Sequence, residues 1–125
     1  MWDVIVVGAR CGGAATALRF ARAGWSVLVL ERAPLGSDTL STHILIAPAV
    51  QQLAALGLLD AVRATGAPPV NKTVFDFNGG SYARPIPEPP GYWLSVRRTT
   101  LDPILERGAQ AAGATFRHGV HVEGL

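Results

Sequence analysis

The chain has 125 residues, of which 49% are hydrophobic and 16% charged, and a formal net charge of +2. This is enough apolar chain for a globular domain that buries roughly two thirds of its unfolded surface, which excludes a disordered tail. The eleven Lys and Arg are scattered and do not interleave with aromatic residues, so nucleic acid is not an expected partner.

The first element is the β-branched run Val4 to Val7, which fits a strand buried on both faces of a parallel sheet. Glycines 8, 12 and 13 end it, and a helix is expected from Gly13 to Ala23, with Ala14, Ala17, Leu18 and Ala21 on its apolar face and Gly24 as its stop. Val27 to Leu30 follows as a second buried strand. Strand, helix and strand in about thirty residues predict a right-handed crossover, because parallel strands need such a connection.

A polar, turn-rich loop in which Ser37 and Asp38 make a turn leads to the next helical pattern. Val50, Leu53, Leu56 and Leu59 are spaced for a core, and Gly57 divides the segment into two short helices. Val74, Phe75 and Phe77 around Asn78-Gly79-Gly80 predict a hairpin. The proline run after it is read as irregular, and Tyr92 to Val96 as a strand whose aromatic residues are core rather than ligand-stacking. Thr100 is expected to cap a helix that has Asp102 and Pro103 in its first turn and stops at Gly113. One more strand, a turn at Gly119 and the start of another strand complete the sequence, which ends where further sheet is expected.

Cys11 is the single cysteine, so no disulfide forms within the chain, and no metal-ligand cluster accompanies it. Its place at a helix N-terminus favours the thiolate through the helix dipole, although no second cysteine completes a redox pair. His43, His118 and His121 are read as ordinary surface or loop histidines. The first ten residues have no basic segment leading to a cleavage site, and no apolar run reaches membrane-spanning length; a cytoplasmic setting without a membrane span is expected.

The chemistry suggested by this pattern lies in residues 3–32. A glycine-rich turn between a strand and a helix presents backbone N–H groups and the positive end of the helix dipole, which together bind phosphate without a side-chain base. Gly8 and Gly13 occupy the first and third positions of a dinucleotide fingerprint, and Arg10 stands where the second glycine belongs. Its guanidinium is free to lean away from the turn and pair with a phosphate or a nearby carboxylate. Glu31, eighteen residues after Gly13, ends the second strand, where an acid accepts the hydroxyls of an adenosine ribose and repels a 2′-phosphate.

These segments, together with "SDTLSTHILIAPAVQQLAALGLLDAV" and "VRRTTLDPILERGAQAAGATFRHGVHVEGL", resemble the amino-terminal part of FAD-dependent oxidoreductases of the p-hydroxybenzoate hydroxylase fold. That group includes aromatic monooxygenases, flavin halogenases and geranylgeranyl reductases. The resemblance implies FAD as cofactor, with NAD(P)H as the reductant of a full-length enzyme. By position, Gly8, Ala9, Arg10, Cys11, Gly12 and Gly13 would receive the diphosphate, Glu31 the ribose, and Arg32 and Val122 the adenine side. Arg98, which opens R-x-x-L-D, would face the diphosphate and ribityl chain, and Ser41 and Thr42, with His43, would approach the flavin or ribityl region.

The expected fold is therefore α/β: a Rossmann-like, three-layer FAD-binding fold with a parallel sheet and a small antiparallel hairpin near residues 70–96. Residues 1–125 read as the amino-terminal part of an FAD-binding domain, incomplete without a later Gly-Asp motif and a substrate-facing sheet. A further polypeptide segment completing the sheet is an expected partner, beside an unspecified small-molecule substrate. Two alternatives remain open: a nucleotide-binding module without turnover, and an inactive fragment with exposed apolar surface along its sheet.

Overall fold

A computed structural model describes residues 1–124. In chain order the elements are β1 Val4–Val7, α1 Cys11–Arg22, β2 Val27–Glu31, β3 Ile44–Leu45, α2 Ala47–Ala55, α3 Leu59–Arg63, β4 Pro69–Val70, β5 Lys72–Phe77, β6 Gly80–Pro85, β7 Trp93–Ser95, α4 Arg98–Ala111 and β8 Thr115–His118. They fall into two compact units. Residues 1–40 and the chain from Arg97 onward form the first, and Ser41–Val96 the second.

In the first unit β1, β2 and β8 form a parallel sheet in the order β1-β2-β8. Val4 pairs with Val27 and Val6 with Val29, while Glu31 at the end of β2 lies beside His118 of β8. The β-branched runs suit a central strand: Val27 and Val29 are completely buried. Helix α1 joins β1 to β2 as the predicted crossover and buries Ala14, Ala17, Leu18 and Ala21, while its small residues let it pack closely against α4. At the other end Gly24, with φ +87°, donates its N–H to the Ala21 carbonyl and turns the chain into β2. Strand β1 is not buried on both faces as its β-branched run predicts: it is the edge strand of this sheet, and one face is open, with Ile5 and Val7 57% and 53% exposed.

Three further local expectations change. Helix α1 starts at Cys11 rather than Gly13, which places Gly12 and Gly13 in its first turn. Thr100 does not cap α4; the helix starts at Arg98, because the Arg97 carbonyl already accepts the N–H groups of Thr100 and Leu101, and Pro103 lies beyond the first turn. No strand follows Gly119 among the described residues. Gly119 (φ +74°) turns the chain so that the Val120 N–H donates to the Glu31 carbonyl, capping β2 instead of extending the sheet; Leu125 lies outside the described residues.

The second unit contains the antiparallel sheet β3-β7-β4, helices α2 and α3, and the hairpin β5-β6. The hairpin turns on Asn78 (φ +47°) and Gly79 (φ +77°), the paired positive angles that match the twist of the flanking strands. Val50, Leu53 and Leu56 are buried as their spacing predicts, but Leu59 is only half-buried and Val62 of α3 is the fully buried residue there; in β7 Leu94 is buried while the flanking Trp93 is half-buried. Among the described residues no helix is long and apolar enough to cross a membrane.

Candidate dinucleotide site

The site is built at the carboxyl ends of β1 and β2. Gly8 leaves β1 with φ +99°, a conformation that side chains with a Cβ resist, and its N–H donates to the Leu30 carbonyl at 2.8 Å. The chain can then double back because Gly13 lies directly against it: a Cβ on Gly13 would overlap the Gly8 carbonyl oxygen and approach Val6 Cγ1 to 3.3 Å. Gly12, by contrast, faces open space. Arg10 occupies the cap position of α1 in extended backbone, and no side chain caps the helix. No acidic residue stands in the helix's own first turn, so its first-turn amides remain available to an anion such as a diphosphate.

Beside this turn is a cavity of about 500 Å³ whose lining includes Gly8, Arg10, Glu31, Arg32, Val120 and Val122. Glu31 is only 8% exposed and is held by two main-chain donors: the Ala9 N–H reaches Oε2 at 2.7 Å and the Ala33 N–H reaches Oε1 at 2.9 Å. Burial works to raise its carboxyl, but those amides and the nearby Arg10 charge outweigh it and hold Glu31 below the ordinary carboxylate value. Each carboxylate oxygen accepts more than one hydrogen bond, so both retain capacity toward the cavity. The open glycine turn and the anchored acid thus fit the diphosphate and ribose of a dinucleotide.

The Arg10 side chain turns from the glycine loop toward neighbouring protein groups. Its Nη1 donates to the Ser37 carbonyl at 2.8 Å and to Asp102 Oδ2 at 3.0 Å, and its Nη2 donates to Ser37 Oγ at 3.0 Å. Of the two partners that its sequence allows, the one present is a carboxylate. Arg98 reaches the same acid from one turn away, donating from Nε to Oδ1 at 2.8 Å and from Nη2 to Oδ2 at 3.2 Å. Burial works to lower its pKa, but the bond to Asp102 together with the electrostatic attraction of Cys11 and Asp102 outweighs it and raises the guanidinium.

Cys11 donates its thiol to Asp102 Oδ1 at 3.3 Å, and this overturns the expectation of a thiolate. Burial, reinforced by the Asp102 charge, pushes its pKa up to about 11, more than offsetting a helix N-terminus. The predicted residues Gly8 to Gly13, Glu31, Arg32, Arg98 and Val122 all lie in the first unit. Ser41 and Thr42 belong to the second, where their hydroxyls accept the His43 and Ile44 N–H groups at 3.2 Å and 3.5 Å.

Two buried acids on α4 carry more of the arrangement than sequence reasoning assigned them. Asp102 and Glu106, 4% and 2% exposed, sit one turn apart beside Leu101 and Leu105 on the buried face. Asp102 gathers Arg10, Cys11 and Arg98; Glu106 lies 3.0 Å from the Nε2 of His118, which is a half-buried residue of β8 rather than the surface or loop histidine expected. The available signal was the spacing itself, since acids at i and i+4 on an apolar stripe require buried partners.

Residues 1–125 match the family described as FAD binding domain. The Escherichia coli (strain K12) protein named Probable electron transfer flavoprotein-quinone oxidoreductase YgcN is 35% identical over 124 residues, which are 98% of this chain and 29% of that protein. Among solved structures, the myxobacterial chondrochloren halogenase CndH, a variant of FAD-dependent halogenases, superposes with a TM-score of 0.84 at 27% identity, covering 98% of this chain and 31% of its own. PqsL of Pseudomonas aeruginosa, a probable FAD-dependent monooxygenase, shares the fold with a TM-score of 0.84 at 20% identity, over 98% of this chain and 34% of its own. The chain thus spans about a third or less of the length of these relatives.

Proposed function

The chain belongs to the FAD-binding domain family, and from that premise we propose that residues 1–125 are the amino-terminal part of the FAD-binding domain of a flavin-dependent oxidoreductase, monooxygenase- or reductase-like, with the β5-β6 hairpin as an insertion near residues 70–96. The observation that carries this reading is the cavity where the open glycine turn and the doubly anchored Glu31 carboxylate face the same space. Gly8 to Gly13, including Ala9, Arg10, Cys11 and Gly12, receive the diphosphate mainly through main-chain amides. Glu31 accepts the ribose hydroxyls, and Arg32 and Val122 border the adenine.

Arg98, anchored on Asp102, faces the diphosphate and ribityl chain. FAD supplies the redox chemistry, and the chain contributes binding, orientation and a field that favours the diphosphate. In the whole enzyme NAD(P)H is the reductant, a small molecule the substrate, and the cytoplasm the setting. A further polypeptide segment covers the face of β1 that bears Ile5 and Val7; the apolar exposure there and the greater length of the relatives support this.

Titration of the purified chain with FAD, NAD and NADP, followed by flavin or intrinsic fluorescence, tests the reading. FAD binding is expected to be tightest, and Glu31→Ala and Arg98→Ala to weaken it about tenfold or more, the worth of one charge-assisted bond. Preferential binding of NADP, or indifference to both substitutions, contradicts it.

A further inference from the structure

We propose that His118 is a positioning residue for Glu31, setting the orientation of that carboxylate toward ribose hydroxyls through the turn that follows β2. The inference rests on the reading of Glu31 given above. His118 and Glu31 are register partners on adjacent strands. The Nδ1 of His118 lies 2.9 Å from the Ala33 carbonyl oxygen, and the N–H of that same residue donates to Glu31 Oε1 at 2.9 Å. On the far side of the ring, Nε2 lies 3.0 Å from both carboxylate oxygens of Glu106, which Gln110 Nε2 braces with a bond of 3.0 Å. A continuous chain of contacts thus runs from α4 through the imidazole and Ala33 to the acid that faces the cavity.

The partners dictate the ring's charge. A carbonyl oxygen only accepts, so Nδ1 carries a proton; a carboxylate also only accepts, so Nε2 is satisfied only when it carries one too. The imidazolium makes both bonds, whereas the neutral ring keeps its one proton toward the Glu106 carboxylate, the stronger acceptor, and turns a lone pair toward the Ala33 carbonyl. The titratable groups around it are Glu106 and Asp102 from α4, Glu31 from β2, and Arg10 from the head of α1, which together line the small space beside the ring. Burial works to lower the His118 pKa, but the Ala33 carbonyl and Glu106 outweigh it and raise it above 6.5. With Ala33 released, one of the two amides that fix the Glu31 carboxylate is free to move, and the acid loses its aim without losing its charge.

Calorimetric titration of the 125-residue chain with ADP and with 2′-deoxy-ADP reads this aim directly. The unsubstituted chain is expected to prefer ADP by about tenfold, as one hydrogen bond to a charged group provides. Glu31→Gln and His118→Phe each reduce that preference to about twofold, and the double variant reduces it no further. His118→Asn, whose amide still donates toward Ala33, restores part of it. The preference falls as pH rises through the raised His118 value, and Glu106→Gln moves that midpoint to lower pH. Should His118→Phe not fold, His118→Asn and the midpoint shift in Glu106→Gln carry the test. A preference lost in Glu31→Gln but intact in His118→Phe, even with a lower melting temperature, overturns the positioning role and leaves the reading of Glu31 standing. Equal affinity for the two nucleotides in the unsubstituted chain overturns both.

Discussion

The guanidinium of Arg10 and the carboxylate of Asp102 meet at 3.0 Å across 92 residues of sequence, locking the head of α1 to the first turns of α4. The residue that breaks the glycine fingerprint is thereby also a strut, because Asp102 draws the cation off the turn and leaves the main-chain amides clear. Asp102→Ala would strip both Arg10 and Arg98 of their shared partner. A loss of about 3 kcal/mol is expected, as for breaking a largely buried pair; Asp102→Asn, which keeps an acceptor, should lose less. Urea unfolding measures both, and a loss below about 1 kcal/mol in the alanine variant would contradict the strut.

Gly12 and Gly13 separate folding from binding. Gly13→Ala places a methyl into the Gly8 carbonyl and near Val6, neither of which yields as a flexible side-chain end would. A destabilisation of several kcal/mol is expected. Gly12→Ala meets nothing within 4 Å and gains about 1 kcal/mol of helix propensity. Its folding stability should therefore hold or rise, while its FAD affinity falls because the methyl stands where the diphosphate approaches. Equal effects of the two substitutions on stability would show that the close approach is misassigned.

The opposed shifts of Glu31 and His118 give the pH profile of stability a definite shape. Glu31 is lowered on folding, so its contribution is present above its ordinary value of 4.5 and is lost as pH falls through the lowered one. His118 is raised, so its contribution is complete below 6.5 and is lost as pH rises through the raised value. Melting temperatures across pH 3 to 9 should flatten on the acid side in Glu31→Gln and on the alkaline side in His118→Phe. Parallel profiles for all three proteins would refute these assignments.

Cys11 should be a poor nucleophile despite its position. Raising its pKa from 9.0 to about 11 leaves roughly a hundredfold less thiolate at neutral pH. Alkylation by iodoacetamide is expected to be slower than for an unfolded peptide by about that factor and faster in Asp102→Asn; a rate equal to the peptide's would show that the thiol is not held by Asp102.

What the sequence discloses follows the range of the interactions. Strands β1 and β2, the crossover helix and the Asn78-Gly79 turn are local: β-branched runs, small helical residues and positive φ angles specify them within a few positions. Gly8, Gly13 and Glu31 are readable for the same reason, since their spacing in one crossover unit sets their geometry. The partners of Arg10, Cys11 and His118 are not readable, because Asp102 and Glu106 reach them only after α4 packs beside α1 and β8 joins β2. Cys11 illustrates the consequence: the helix end alone favours a thiolate, and burial, reinforced by a carboxylate 91 residues away, reverses the sign. The start of α4 shifts from Thr100 to Arg98 because a backbone carbonyl takes the first helical bonds, and no side-chain pattern announces that.

The central claim is that first-turn amides of α1 hold a diphosphate beside Arg10. Amide chemical-shift titration of the labelled chain with ADP and with adenosine addresses it most directly. The Gly12 and Gly13 amides are expected to move with ADP and saturate together with those around Glu31, while adenosine moves the latter alone. ADP binding that leaves Gly12 and Gly13 unmoved would contradict the account.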